Sequence, residues 1–153
     1  MNALDYLQTP CGVLAINANQ IGVTSVIFVE HTDQQTHANQ HTDMAKAQLT
    51  EYLQGKRTRF NLSLAAQGTE FQMRVWQALQ SIDFAATASY LDIANAVGNP
   101  KACRAVGAAN GRNPISIIVP CHRIIGNNGK LTGYAGGLNR KQWLLEHEKS
   151  AKG

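Results

Sequence analysis

The sequence predicts an α+β protein, with a small N-terminal α/β domain over residues 1–66 and a mainly helical C-terminal domain over residues 67–153. Three observations predict it. Runs of aliphatic and aromatic residues broken by turn formers fill the first thirty positions. Apolar residues take up helical spacing after Gly68. The chain has 153 residues, 44% of them hydrophobic and 16% charged, enough for one compact domain or two small ones and too apolar for wholesale disorder. No stretch approaches the ~18 consecutive apolar residues of a membrane-spanning helix. An early acid, Asp5, and the lack of a basic-then-apolar run argue against a secretory leader. Cys11, Cys103 and Cys121 are odd in number, widely spaced and match no zinc pattern. They read as reduced thiols of a cytoplasmic protein.

In the first domain, Ala3–Thr9, Gly12–Ala18 and Ile21–Glu30 read as strands, separated by Pro10 and by Asn19-Gln20. The polar stretch His31–Thr42 reads as a loop. Asp43–Gln54 is a helix, with Ala45, Leu49, Tyr52 and Leu53 at helical spacing, ended by Gly55-Lys56. Phe60–Leu64 reads as either a final edge strand or a linker.

In the second domain, Thr69 and Gln72 form a capping box, in which each side chain satisfies a free backbone N–H. Phe71, Val75, Leu79 and Ile82 follow on one stripe beside Trp76. Ser89 and Asp92 open a second helix through Ile93, Ala94 and Val97, stopped by Gly98. Asn99-Pro100 then restarts helix at once, with Asn99 as cap and Pro100 at the first helical position. Ala102, Ala105, Val106 and Ala109 form its small-residue packing face. The pair reads as a helix-turn-helix, with an ordinary helical hairpin as the competing reading. Ile115–Val119 reads as a buried, strand-like segment, and Asn127-Asn128-Gly129 as a turn. After the glycine-rich loop Gly133–Gly137, Asn139 caps a last helix, Arg140–Lys149.

The net charge of +4 is unevenly distributed. Residues 1–66 carry four Lys/Arg and five Asp/Glu, whereas residues 67–153 carry ten and five. Between Asp92 and Glu146 there is no acid, against seven bases: Lys101, Arg104, Arg112, Arg123, Lys130, Arg140 and Lys141. A one-signed stretch favours a polyanionic partner, although a merely solvated basic face has the same composition.

Cys121 follows an apolar run and Pro120, and precedes His122 and Arg123. A thiol becomes a nucleophile when a histidine, a cation or a helix N-terminus favours its thiolate. A buried structural cysteine is the competing reading, since burial is common for this residue type.

At this point the sequence resembles the O6-alkylguanine-DNA alkyltransferases, or methylated-DNA–protein-cysteine methyltransferases. The resemblance is carried by Gly68-Thr69 with Phe71-Gln72, Val75-Trp76, Ala78-Leu79, Ser89-Tyr90 and Ile93-Ala94. It continues in Asn99-Pro100-Lys101-Ala102, Arg104-Ala105-Val106-Gly107, Asn113-Pro114, Pro120-Cys121-His122-Arg123 and Gly133-Tyr134 with Gly136-Gly137-Leu138. It spans roughly residues 68–148; residues 1–66 resemble the family only in arrangement, and a ribonuclease H-like N-terminal domain is implied there.

The resemblance implies a suicide repair reaction, in which Cys121 takes an alkyl group from O6 of a guanine flipped out of DNA and keeps it. O4-alkylthymine is a second candidate substrate. His122 would take the thiol proton through a water, and Glu148 would orient His122. Tyr90, helped by Lys141, would give a proton to the leaving guanine. Tyr134 would wall the pocket, and Asn113 would brace the turn that presents Cys121. The second helix of the helix-turn-helix would enter the minor groove, with Arg104 filling the place of the flipped base. Ala102, Ala105, Ala108 and Ala109 would allow close approach. Lys101, Arg112 and Arg123 are candidate phosphate contacts, with Arg123 also open to a structural role. The implied partner is double-stranded DNA with low sequence specificity; no membrane is expected, nor any cofactor or metal. A monomer is expected, and the sequence leaves cooperative binding on DNA open.

Some positions depart from the family pattern. Asp83 and Ala85 stand where the family often has proline and glycine, and Ala135 stands where it often has serine. The Ala135 backbone N–H is the remaining donor there. Cys11, His31, His37 and His41 make a poor zinc set, because three histidines in a polar loop are usually solvated. Cys103 reads as a packing residue. A non-catalytic lesion-binding protein is the alternative function, but relatives of that kind replace the acceptor cysteine with tryptophan, and Cys121 is kept.

Overall fold

A computed structural model describes residues 2–126 and 128–152, so Asn127 of the expected turn lies outside the described residues. The chain divides into two compact units, Met1–Gln67 and Gly68–Gly153.

The first unit is built on an antiparallel meander of β1 (Ala3–Thr9), β2 (Gly12–Ala18) and β3 (Val23–Val29), in that order across the sheet. Asn19 makes the second turn by accepting from the N–H groups of Ile21 and Gly22, so β3 starts two residues later than expected. Helix α1 (Gln40–Leu53) packs on the sheet through Ala45, Leu49 and Tyr52. It begins three residues before the expected start, because Asn39 and Thr42 form a capping box that the polar composition of the stretch conceals. That stretch is not simply a solvated loop: His37 exchanges backbone hydrogen bonds with Leu4 of β1. Phe60–Leu64 resolves as an irregular segment that bridges β3 at one point, Val23 with Leu64. Gly22 permits the approach, since a Cβ there would stand 2.3 Å from the Ser63 carbonyl oxygen.

The second unit contains α2 (Glu70–Leu79), β4 (Ala88–Ser89), α3 (Tyr90–Ala96), α4 (Cys103–Gly111), β5 (Ile124–Ile125) and α5 (Leu138–Lys152). Both expected capping boxes are formed, Thr69 with Gln72 and Ser89 with Asp92. Gly98, at φ +81°, ends the α3 segment in a conformation that a side chain would strain. Trp76 donates its indole N–H to the Ala109 carbonyl at 2.9 Å, fixing α2 against α4.

Four expectations change in this unit. Asn99-Pro100 does not start α4: the Asn99 carbonyl accepts from Ala102 in a separate turn, and the helix begins at Cys103. Val106, Ala109 and Asn110 form its buried face, whereas Ala105 and Ala108 are exposed. Ile115–Val119 is buried as expected but is a tight turn, with Ile117 at φ +71° and the Val119 N–H bonded to the Ile115 carbonyl. Asn139 lies inside α5, because the Lys141 N–H already bonds to the Gly137 carbonyl.

Candidate active site

Cys121 sits in a single 3₁₀ turn, Cys121–Arg123, that follows the Ile115–Val119 turn. Asn113, at the end of α4, holds these turns together. Its side chain accepts from the Ile115 N–H at 3.0 Å and donates to the Val119 carbonyl at 2.9 Å and the Ile115 carbonyl at 3.3 Å. The backbone leaves the turn directly into β5, which pairs in parallel with β4. Ser89, the last residue of β4, is also the cap of α3. The ladder therefore fastens the Cys121 turn to the helix that begins with Tyr90.

The thiol is buried, and burial pushes its pKa up. A hydrogen bond from Asn113 and the positive charge of Lys141 oppose that shift. Cys121 at neutral pH is thus a protonated thiol.

His122, the next residue, is fully buried. Burial lowers its pKa, so the ring is neutral, although the bond to Glu148 pulls the other way. His122 Nε2 lies 2.6 Å from Glu148 Oε2. An ionised carboxylate can only accept, so Nε2 carries the proton and Nδ1 keeps the lone pair. Nδ1 is buried with no hydrogen-bond partner among the described residues.

Glu148 is the hub of this network. Besides His122, its Oε1 accepts from Arg123 Nε at 2.9 Å and from the Ala85 N–H at 3.1 Å, and its Oε2 accepts from Arg123 Nη2 at 3.0 Å. Burial alone would push the carboxyl up, but the His122 and Arg123 bonds prevail and hold it far below the usual carboxylate range. Arg123 is itself buried, and its remaining Nη1 donates to the Ile82 carbonyl at 2.6 Å. The expected phosphate contact at Arg123 is therefore corrected: the guanidinium is enclosed and its donors face protein oxygens.

Tyr90 and Lys141 converge on one residue. Tyr90 Oη is 2.5 Å from Thr132 Oγ1, and Lys141 Nζ donates to the Thr132 carbonyl at 3.1 Å. The Lys141 side chain is buried, which lowers its pKa, while the nearby thiol raises it. Tyr134 and Ala135 lie in the loop just before α5, where the Tyr134 carbonyl accepts from the Gly137 N–H.

The basic residues of this unit sort into two sets. Arg123 and Lys141 are buried, so two of the seven bases in the acid-free stretch are not surface charge. Lys101, Arg104 and Arg112 are exposed at or beside the two ends of α4. The outward face between them carries Ala105 and Ala108, while Ala109 is buried and Ala102 half-buried.

A family model described as the DNA-binding domain of 6-O-methylguanine DNA methyltransferase matches residues 70–150. A second, described as the ribonuclease-like domain of that methyltransferase, matches residues 4–66. The chain belongs to the 6-O-methylguanine DNA methyltransferase family. The methylated-DNA–protein-cysteine methyltransferase of Mycobacterium tuberculosis is 46% identical over 149 residues, 94% of this chain and 90% of the relative. The protein of the same name from Methanosarcina acetivorans is 46% identical over 94% of this chain and 96% of its own. The crystal structure of the M. tuberculosis O6-methylguanine methyltransferase superposes with a TM-score of 0.89 at 45% identity, covering 99% of this chain and 94% of that one. The same organism's OGT in complex with DNA gives 0.88 at 47% identity, covering 95% and 92%.

Two further residues of this methyltransferase family fold touch the site without standing in any of its sequence motifs, Thr132 and Ala85. Thr132 carries no motif of its own; only its spacing, nine residues before Lys141, places it near the site. Ala85 contributes a backbone N–H to Glu148, and its signal was the missing family glycine, since it adopts φ +65°.

Proposed function

We propose that Cys121 accepts an alkyl group from O6 of a guanine in double-stranded DNA, once per molecule. The observation that carries this is the buried His122–Glu148–Arg123 network beside the thiol. Glu148 fixes Nε2 of the imidazole and leaves Nδ1 as the base. The thiol proton passes to Nδ1 through a water, and the resulting imidazolium is stabilised by the Glu148 carboxylate. The thiolate then attacks the alkyl carbon. A carbon–sulfur bond forms, the carbon–O6 bond breaks, and the electron pair stays on the guanine. Tyr90 gives the guanine a proton, and the charge of Lys141 favours both the thiolate and the departing base. No cofactor is needed for this displacement. A thioether is stable, so the protein is consumed.

The target atom lies inside the duplex, so the nucleotide must leave the stack. The exposed face of α4 suits the minor groove, where Ala105 and Ala108 permit close approach. Arg104, on the same helix, enters the gap left by the base. Lys101 and Arg112 hold phosphates, which makes binding salt-sensitive and weakly sequence-dependent. Tyr134 and the Ala135 N–H line the pocket. The unit Gly68–Gly153 carries the chemistry, and the first unit supports it. The protein acts as a monomer in the cytoplasm.

Intact-mass analysis after mixing with duplex DNA containing O6-methylguanine tests this reading. One methyl per protein is expected, mapped to Cys121 and lost in Cys121→Ala. No mass gain, or product released beyond one equivalent, would overturn it.

A further inference from the structure

Thr132 is half-buried between β5 and α5, and the reaction as described gives it no part. Yet it touches two of the groups that act on the leaving base. Its hydroxyl is 2.5 Å from the Tyr90 phenol, within the short range for an O–H···O bond, and either oxygen can donate. Its backbone carbonyl accepts from the Lys141 ammonium at 3.1 Å. The rotamer is confined as well. The γ-methyl faces Gly126, where an added Cβ would already stand 3.4 Å from it, and a β-branched side chain has few other staggered positions. The phenol ring runs alongside α4, where a Cβ at Gly107 would meet it at 3.6 Å, an ordinary contact distance.

We propose that Thr132 is a positioning residue for proton delivery to the leaving guanine, setting the Tyr90 phenol with its side chain and the Lys141 ammonium with its main chain. The inference rests on the alkyl-acceptor reading of Cys121. A threonine hydroxyl has one hydrogen to give. Donated to Tyr90 Oη, it turns the phenol's own hydrogen away from Thr132 and frees it for the guanine. It also stabilises the negative charge that forms on Oη when that proton leaves. The proton balance is unchanged: the thiol proton goes to His122, the Tyr90 proton goes to guanine, and the His122 proton returns through solvent to Tyr90. Thr132 itself neither gains nor loses a proton. Valine keeps its shape and removes the hydroxyl; serine keeps the hydroxyl and loses only the methyl.

Single-turnover transfer from O6-methylguanine duplex DNA tests this in the full-length protein, with Thr132→Val, Thr132→Ser, Tyr90→Phe and the double variant Tyr90→Phe/Thr132→Val. A positioned general acid contributes about 10²–10⁴-fold, and loss of the group that aims it is expected to slow transfer about tenfold in Thr132→Val. Thr132→Ser is expected within about twofold of wild type. In the Tyr90→Phe background the valine substitution is expected to add nothing, because its effect runs through the phenol. Equal slowing by Thr132→Val in both backgrounds, or transfer at the wild-type rate, would overturn the role. Should Thr132→Val fail to fold by circular dichroism, Thr132→Ala removes the same hydroxyl and carries the same expectations. Wild-type protein that gains no methyl at Cys121 would take down the acceptor reading and this inference together.

Discussion

The unit Met1–Gln67 closes its interior with Leu14, Ile16, Val26, Leu49 and Tyr52. Among the described residues, the polar side chains it buries are uncharged: Thr42, which completes the cap of α1, and Gln48, which braces Asn61. The unit Gly68–Gly153 also has an apolar centre, in Val75, Leu79, Ile93, Val106 and Leu144. Besides the Cys121 thiol, it buries four ionisable side chains, His122, Arg123, Lys141 and Glu148, and three uncharged polar ones, Asn110, Asn113 and Ser116. The first interior is what hydrophobic burial alone would choose. The second accepts the desolvation of charges, which stability alone does not favour. Buried ionisable groups gathered around one thiol are what a reaction requires.

The contrast can be broken most forcefully at Glu148. Glu148→Ala leaves Arg123 enclosed without its carboxylate, and such a loss costs about 3–5 kcal/mol. Urea unfolding is expected to show that loss, and transfer per folded molecule is expected to slow as well. Leu49→Ala in the first unit is expected to cost about 2–5 kcal/mol while leaving transfer per folded molecule unchanged. If both variants slow transfer equally, the division of labour between the interiors is wrong.

Acid separates the interiors next. Burial holds His122 below its ordinary value of 6.5. Below about that pH the unfolded chain binds a proton that the folded chain refuses, so stability falls as pH falls. The slope reaches about 1.4 kcal/mol per pH unit. Glu148 acts in the same direction from its ordinary value of 4.5 downward, because its folded-state pKa is depressed. Unfolding curves between pH 7.5 and 5 are expected to show the first slope in wild type and not in His122→Asn. An unchanged slope in that variant would place the titrating group elsewhere.

Arg104→Ala is expected to slow transfer from duplex DNA about tenfold more than transfer from free O6-methylguanine base, since its role concerns the vacated stack. Equal slowing on both substrates would remove α4 from base flipping. The smallest effect is expected at Ala85. A non-glycine residue in the left-handed region costs about 1–2 kcal/mol, so Ala85→Gly is expected to stabilise the second unit by about 1 kcal/mol in thermal unfolding. A loss of stability would mean that the bond from the Ala85 N–H to Glu148 depends on the alanine.

What could be read in advance was mostly local. The boxes at Thr69 and Ser89 involve side chains three residues apart, and the strands of the first unit follow from apolar runs broken by turn formers. Pro120-Cys121-His122-Arg123 is a run of four consecutive residues, legible for the same reason. The sequence leaves Arg123 between a phosphate contact and a structural role, because only a carboxylate 25 positions away decides that it is enclosed. The burial of Lys141, Leu144 and Glu148 along α5 was hidden too: two of the three are charged, so no apolar stripe marks the face. Ile115–Val119 misled because an apolar run records burial and not shape. The Asn113 side chain supplies the bonds that a neighbouring strand would otherwise give.

The Glu148 carboxylate joins Ala85, His122 and Arg123, partners far apart along the chain. Bringing residues 85 and 148 together closes a long loop, and such contacts form late compared with the turns of a helix. Until α5 docks, Cys121 is an ordinary cysteine beside a histidine that nothing orients. On the acceptor role proposed for Cys121, folding is therefore the step that arms the thiol, and a molecule that can be spent only once stays unreactive until it has become the molecule worth spending.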